Sequence, residues 1–113
     1  MLLSKNDILK ARDFKLREVK VPQWGGSVMI KTLSSKDKGA FEQKTTTENL
    51  DLSKIMAEYA SLIICDEDGN RLFSREDIDE LSEKSASALE LVFNEGRDLN
   101  NFTEEDLEAL AGN

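Results

Sequence analysis

The segment at residues 19–30, VKVPQWGGSVMI, constrains the fold of this 113-residue chain more than any other. It contains the only proline, the only tryptophan and the only two adjacent glycines. Apolar residues alternate with polar ones on both sides of the turn, as half-buried β-strands require. Pro22 cannot donate a ladder hydrogen bond, and Gly25 and Gly26 supply positive φ for a tight reversal. The pattern predicts a β-hairpin over residues 17–33 with Trp24 at its tip.

The remainder of the chain is expected to be helical. Apolar residues recur at helical spacing over residues 50–64 and predict a strongly amphipathic helix whose main use is core packing. Polar and β-branched residues at 44–49 predict a linker. Five further helix starts are predicted from N-capping residues, which are Ser4, Ser34, Ser74, Ser85 and Thr103. The expected fold is α+β: a mostly helical single domain with one β-hairpin near the N-terminus.

Charge is distributed unevenly along the chain, whose net charge is −8. Residues 1–45 hold ten Lys/Arg and five Asp/Glu, a net of +5, whereas residues 46–113 hold five and eighteen, a net of −13. We therefore divide the domain into a basic hairpin-containing part, 1–45, and an acidic helical part, 46–113. Such a layout could bring one copy onto the next head to tail. The acidic residues could equally serve only as solvated helix faces and first helical turns.

The residue types of the chain give little indication of a catalytic or metal-binding site. The chain has no histidine, the commonest general base, and its single Cys65 follows an apolar run with no neighbouring base, so a buried structural thiol is expected. Asp66, Asp68 and Asn70 resemble the start of a calcium loop, but Arg71 occupies the position that needs glycine. We predict a structural turn there, and a protein that is not an enzyme and has no cofactor or metal.

Several partner and location classes are also disfavoured. No apolar run approaches the roughly 20 residues that span a bilayer, and the apolar N-terminal stretch is too short for a secretory signal. A lone cysteine gives no disulfide framework. The acidic balance disfavours nucleic acid. The expected protein is cytoplasmic, without membrane or nucleic-acid partners.

Three phrases taken in order resemble one family. They are VKVPQWGGSV at 19–28, LIICDEDGNRLF at 62–73 and LSEKSASAL at 81–89. In this arrangement the chain resembles the tail assembly chaperones of long-tailed bacteriophages and prophages.

The resemblance implies a non-catalytic role in virion tail assembly. Such chaperones coat the tape measure protein, keep it extended until tail tube subunits polymerise around it, and are absent from the mature virion. Many of their genes also produce a longer, frameshifted product that recruits tail tube protein, and this chain would correspond to the short form. The implied location is the cytoplasm of the bacterial host.

Client contacts are predicted on apolar side chains, with copies associating as a homo-oligomeric ring or filament along the client. Trp24 could instead be a packing anchor that holds the hairpin against the helices. Two alternatives stay open: a prophage-encoded interaction module with another client, and a carboxylate-based metal enzyme. The predicted contacts lie in the hairpin and in the 50–64 helix, and they are Val21, Trp24, Val28, Ile30, Leu52, Ile55, Met56 and Tyr59.

Overall fold

The computed structural model describes residues 1–101, and they form one α+β domain in which helices predominate. The predicted helix at Thr103 lies outside the described residues. The α-helices are α1 (Lys5–Lys10), α2 (Ser35–Thr47), α3 (Leu52–Ile63), α4 (Ile78–Ser82) and α5 (Ala86–Asn100). The strands are β1 (Leu16–Val21), β2 (Gly26–Lys31) and β3 (Ile64–Cys65), and single 3₁₀ turns lie at Pro22–Trp24 and Arg75–Asp77.

The predicted hairpin is confirmed. Strands β1 and β2 pair antiparallel from Leu16 opposite Lys31 to Val21 opposite Gly26. Only Gly25 takes a positive φ, of 75°, so the expectation for Gly26 was wrong: it already belongs to β2. A 3₁₀ turn that begins with Pro22 makes up most of the connection, because the fixed φ of proline suits the first position of a helical turn.

A third strand was not predicted. The two residues of β3 pair antiparallel with β2, placing Met29 opposite Cys65 and Ile30 opposite Ile64. The sheet order is β1-β2-β3, so the hairpin is joined directly to the end of α3. Ile64 had been assigned to the helix, which ends at Ile63. Two residues are too few to show strand periodicity, and pairing with β2 decides their conformation.

Helix α3 is the centre of the core. The predicted use in core packing is confirmed, and every residue from 55 to 63 is buried, including the polar Glu58 and Ser61. Other elements pack against it on several sides, including α2, α4 and α5. Its Tyr59 is fully buried, with ring centroids of Phe41 and Phe93 each 5.3 Å away.

Helix α2 extends through most of the predicted linker. It begins after the Ser34 cap, as expected, but continues to Thr47. Thr45 is buried, and its Oγ1 donates to the Phe41 carbonyl oxygen at 2.9 Å. Burial against α3 therefore outweighs the weak helix propensity of consecutive threonines. The connection to α3 is reduced to the residues between Thr47 and Leu52, where Asn49 has a φ of 50°.

Local capping signals were predicted correctly. Ser4 and Ser74 each form a capping box with the Asp three residues later, and Ser85 caps α5 by accepting from the Ala88 N–H. Because a cap satisfies exposed backbone donors within a few residues, it can be recognised without knowledge of the fold.

An ion pair joins α2 to α3. Lys44 contacts Glu58, whose side chain is only 10% exposed, whereas the Lys44 side chain is 29% exposed. A second pair, Lys54–Asp79, joins α3 to α4, but its Asp79 side chain is 90% exposed. The first carboxylate depends on its cation more than the second, because water does not solvate it as well.

The two helical glycines Gly96 and Gly39 are expected to respond oppositely to alanine. A Cβ at Gly96 would overlap the side chains of Ile63 and Tyr59, whereas one at Gly39 would meet nothing within 4 Å. Overpacking should make Gly96→Ala less stable by about 1–3 kcal/mol. Gly39→Ala should raise the free energy of unfolding by about 0.5–1 kcal/mol. Urea unfolding of both variants measures the contrast, and a stabilised Gly96→Ala variant would contradict the packing described.

Removal of the Lys44 charge is expected to destabilise the fold. Lys44→Met leaves Glu58 buried without its cation and should cost about 3 kcal/mol. The matched Lys54→Met should cost much less, because the Asp79 carboxylate stays solvated. The double variant Lys44→Met/Glu58→Leu should recover much of the loss. Urea unfolding at neutral pH gives all three values. Equal losses for the two lysine variants would show that Glu58 is adequately solvated.

Candidate partner-binding groove

A depression lies between α2 and the segment that leads into α4, and we call it the α2–α4 groove. Its volume is about 630 Å³. Helix α2 forms one wall, α3 contributes Glu58 and Leu62, and the opposite wall includes Ile78 of α4. The apolar lining residues are Ala40, Phe41, Leu62 and Ile78, and the charged ones are Asp37, Lys44, Glu48, Glu58, Arg71 and Arg75.

Charges on three helices interact near the groove, where Lys44 belongs to the lining and Lys54 and Asp79 do not. Lys54 of α3 bonds to Asp79 of α4 and lowers the pKa of that carboxyl, and Lys44 of α2 lowers it further. The same contact with Asp79 raises the pKa of Lys54. Lys44 also contacts Glu58, so charges of both signs are present in the groove lining. The arrangement suits an amphipathic segment that carries charges beside an apolar stripe.

Arg71 has a structural contact as well as a place in the groove lining. The Arg71 Nε donates to the carbonyl oxygen of Ser61 at 3.0 Å. The backbone of Arg71 also forms a β-bridge with Cys65. The wall of the groove is therefore attached to the end of α3 through the turn at 66–70. In that turn Asp66 Oδ1 accepts from the N–H groups of Asp68 and Asn70, which lower the pKa of Asp66. The predicted structural turn is confirmed.

Most residues predicted to contact a client lie inside the domain. Val21, Ile30 and Tyr59 are 0% exposed, and Ile55 and Met56 are 7% and 6% exposed. These five pack together in one core, away from any surface that a partner reaches on the folded chain. Their role in client binding stays a prediction, and it would require the core to open.

Three predicted contact residues remain accessible to different degrees. Trp24 and Val28 are partly buried and pack against the core, while Leu52 is 61% exposed at the start of α3. Next to Trp24, the Gln23 side chain donates to Ser87 Oγ at 2.9 Å, which holds the hairpin tip against the start of α5. Trp24 thus contributes to packing and still offers part of its surface.

Sequence reasoning missed an exposed apolar segment at the start of the chain. Residues 1–13, which we call the N-terminal arm, are all exposed, and α1 has no buried residue. Ile8 and Leu9 were expected to form a short helix, which they do, but the sequence did not show that the body leaves them uncovered. The available signal was the pairing of apolar and basic residues in a helix of only six residues.

The described part of the chain offers little for catalysis. Between residues 1 and 101, no group of three or more Cys, Asp or Glu side chains is arranged to hold a metal ion. Cys65 is buried as predicted, and burial raises the pKa of its thiol, which disfavours a reactive thiolate. No helix within this range is long and apolar enough to cross a bilayer.

Comparison with known proteins identifies the family of this chain. A family model for phage tail assembly chaperones matches residues 5–109. The solved structure of the bacteriophage HK97 tail assembly chaperone is similar in fold, with a TM-score of 0.64 and 20% sequence identity. That similarity covers 88% of this chain and 95% of the HK97 chain. A search of curated proteins found no match. Because the family model spans nearly the whole sequence, this chain belongs to the phage tail assembly chaperone family.

Proposed function

We propose that this protein binds the tape measure protein during tail assembly and keeps it extended until tail tube subunits are recruited around it. The observation that carries the proposal is the family match over residues 5–109. The work is non-catalytic: binding excludes water and other chains from apolar client surface. The protein acts in the cytoplasm of the bacterial host and is not retained in the mature virion.

The α2–α4 groove is the surface we assign to the client. Tape measure segments that would aggregate when free must expose apolar side chains, and an amphipathic helix can place such a stripe into a groove. Ala40 offers exposed apolar surface in the lining, and Leu62 and Ile78 add only the 9% and 7% of their surface that is exposed. Arg75 and Glu48 offer charges of both signs in the same lining. Because the groove lining contains both acidic and basic residues, it favours a client helix whose apolar stripe is flanked by charged residues of both signs.

Repeated binding along an extended client favours self-association of the chaperone. The basic part, residues 1–45, and the acidic part, residues 46–113, provide opposite net charges on one chain. Copies that bind adjacent client segments would be held at high local concentration, so that weak contacts between them suffice. The resulting ring or filament would then present many equivalent surfaces to tail tube subunits.

Filling the groove is expected to weaken client binding. Ala40 is exposed on α2 and lines the groove, so Ala40→Arg places a long charged side chain there without disturbing the core. Thr46→Arg is the matched control, because Thr46 is exposed on the same helix outside the groove lining. Co-expression with the tape measure protein encoded by the same phage or prophage, followed by affinity pull-down, measures retained client.

Wild-type protein and Thr46→Arg should retain soluble tape measure protein, and Ala40→Arg should lose most of it. Failure of the wild type to bind would contradict the client proposal itself. Equal retention by the two arginine variants would contradict only the assignment of the groove. Ile55→Asp is unsuitable for this test, because Ile55 is buried and a charge there would destabilise the fold.

A further inference from the structure

Arg71 and Arg75 form a ridge between two depressions of the surface. Both arginines line the α2–α4 groove, and both also line a second depression of about 520 Å³ beside it. Leu72 and Phe73 lie between them in the sequence and line the second depression only. We call residues 71–75 the arginine ridge. It presents basic and apolar side chains together, next to the groove.

The ridge exposes a large apolar side chain. Leu72 is 57% exposed, whereas Phe73 is partly buried and packs against the core. The groove itself offers little comparable surface, because its larger apolar residues, Phe41, Leu62 and Ile78, are buried. A client segment in the groove therefore gains most of its apolar contact by extending over the ridge onto Leu72.

The two guanidinium groups of the ridge lack acidic partners. In the part of the chain that the structure describes, no carboxylate forms an ion pair with Arg71 or Arg75. Asp77 lines the second depression, but its carboxylate accepts from the Ser74 N–H at 2.8 Å and from Ser74 Oγ at 3.1 Å. Glu76 is exposed and lines neither depression. The planar guanidinium groups are thus available to carboxylates of a partner, whose geometry they match.

The other charges of the groove belong to its opposite side. Lys44 contacts Glu58, so these two charges compensate each other. Asp37 lies on α2 and Glu48 caps its C-terminal end, so both lie on the wall across from the ridge. The lining as a whole contains three residues of each sign, but one wall is basic and the other acidic. A bound segment is therefore oriented with its acidic side toward the ridge.

Hydrogen bonds hold the ridge in place before any partner binds. The Arg71 Nε donates to the Ser61 carbonyl oxygen at 3.0 Å, and the Leu72 N–H donates to the Ile64 carbonyl oxygen at 3.2 Å. At the other end, a capping box precedes the 3₁₀ turn Arg75–Asp77. Because these contacts restrict the backbone of the free chain, little conformational entropy is lost there when a partner binds.

We propose that the arginine ridge binds an acidic segment of the tape measure protein, whose carboxylates pair with Arg71 and Arg75 while an apolar residue between them covers Leu72. This inference rests on the proposed function and specifies the chemistry of the client segment. An apolar segment without carboxylates would leave both guanidinium groups desolvated and unpaired. The ridge therefore selects among client segments and does not bind every apolar one.

Two substitutions at the ridge, each with a control, test the contact. Arg75→Glu reverses a charge at an exposed residue, and Lys84→Glu is the matched control, because Lys84 is exposed and lines neither depression. Leu72→Gln removes the apolar side chain, and Leu72→Met retains apolar surface at the same position. Arg71 is left unchanged, since its Nε also bonds to the end of α3. Circular dichroism checks that each variant is folded.

Short overlapping peptides that together span the tape measure protein of the same phage or prophage serve as probes. An array of these peptides identifies the segments that the wild-type chain binds. Fluorescence anisotropy with the tightest-binding peptide then gives a dissociation constant for each variant of the whole chain.

The wild type should select peptides in which Asp or Glu flanks an apolar residue, and this binding should weaken as ionic strength rises. Arg75→Glu and Leu72→Gln should each bind about tenfold more weakly, as expected when one anchor of a contact is lost. Lys84→Glu and Leu72→Met should bind as the wild type does. Because Lys84→Glu changes the net charge as much as Arg75→Glu, it separates a local contact from long-range repulsion.

The proposal is overturned if the peptides that the wild type selects are neutral or basic, or if Arg75→Glu binds them as tightly as Lys84→Glu. Equal binding by Leu72→Gln and Leu72→Met also overturns it. The pull-down of whole tape measure protein is an independent measurement. A wild type that retains the whole client but selects no acidic peptide contradicts the ridge proposal alone. A wild type that retains no client contradicts the proposed function as well.

Discussion

Burial of α3 on all sides is the constraint on which the rest of the structure depends. Tyr59 lies at its centre, fully buried between Phe41 of α2 and Phe93 of α5, and its hydroxyl accepts from Asn100 Nδ2 at 3.0 Å. The close approach of α5 requires Gly96, since a side chain there would overlap Tyr59 and Ile63. The aromatic contacts, the hydroxyl bond and the glycine thus determine how three helices meet.

Complete burial of a helix with polar residues has a consequence at the surface. Glu58 cannot face water fully, so Lys44 of α2 must approach it, and this pair helps hold α2 beside α3. Because α2 and the segment leading into α4 do not meet over α3, the α2–α4 groove remains between them. The candidate binding surface therefore follows from how the core is closed. Its residues come from three consecutive helices and from the segment that leads into α4.

The candidate site was predicted only in part, and the reason is physical. A period of 3.6 residues identifies an apolar stripe, but it does not say whether a neighbouring helix or a partner covers that stripe. Ile55, Met56 and Tyr59 face neighbouring helices, whereas Leu52, one turn earlier, lies beyond their reach. For Ile8 and Leu9 the helix was predicted correctly, but the sequence did not show that the rest of the domain leaves both side chains exposed. Coverage depends on segments distant in the sequence, so a local pattern does not determine it.

The sequence by itself determined the features that arise within a few residues: the hairpin with its Pro22 turn, the caps at Ser4, Ser74 and Ser85, and the turn at Asp66. It also carried the phrases that indicate the family. Tertiary structure alone decided that Ile64 and Cys65 form a third strand, that α2 continues through Thr47, and that the N-terminal arm stays exposed. Local hydrogen bonds and dihedral preferences involve near neighbours and can be read along the chain. Burial and strand pairing are determined by segments that meet only after folding.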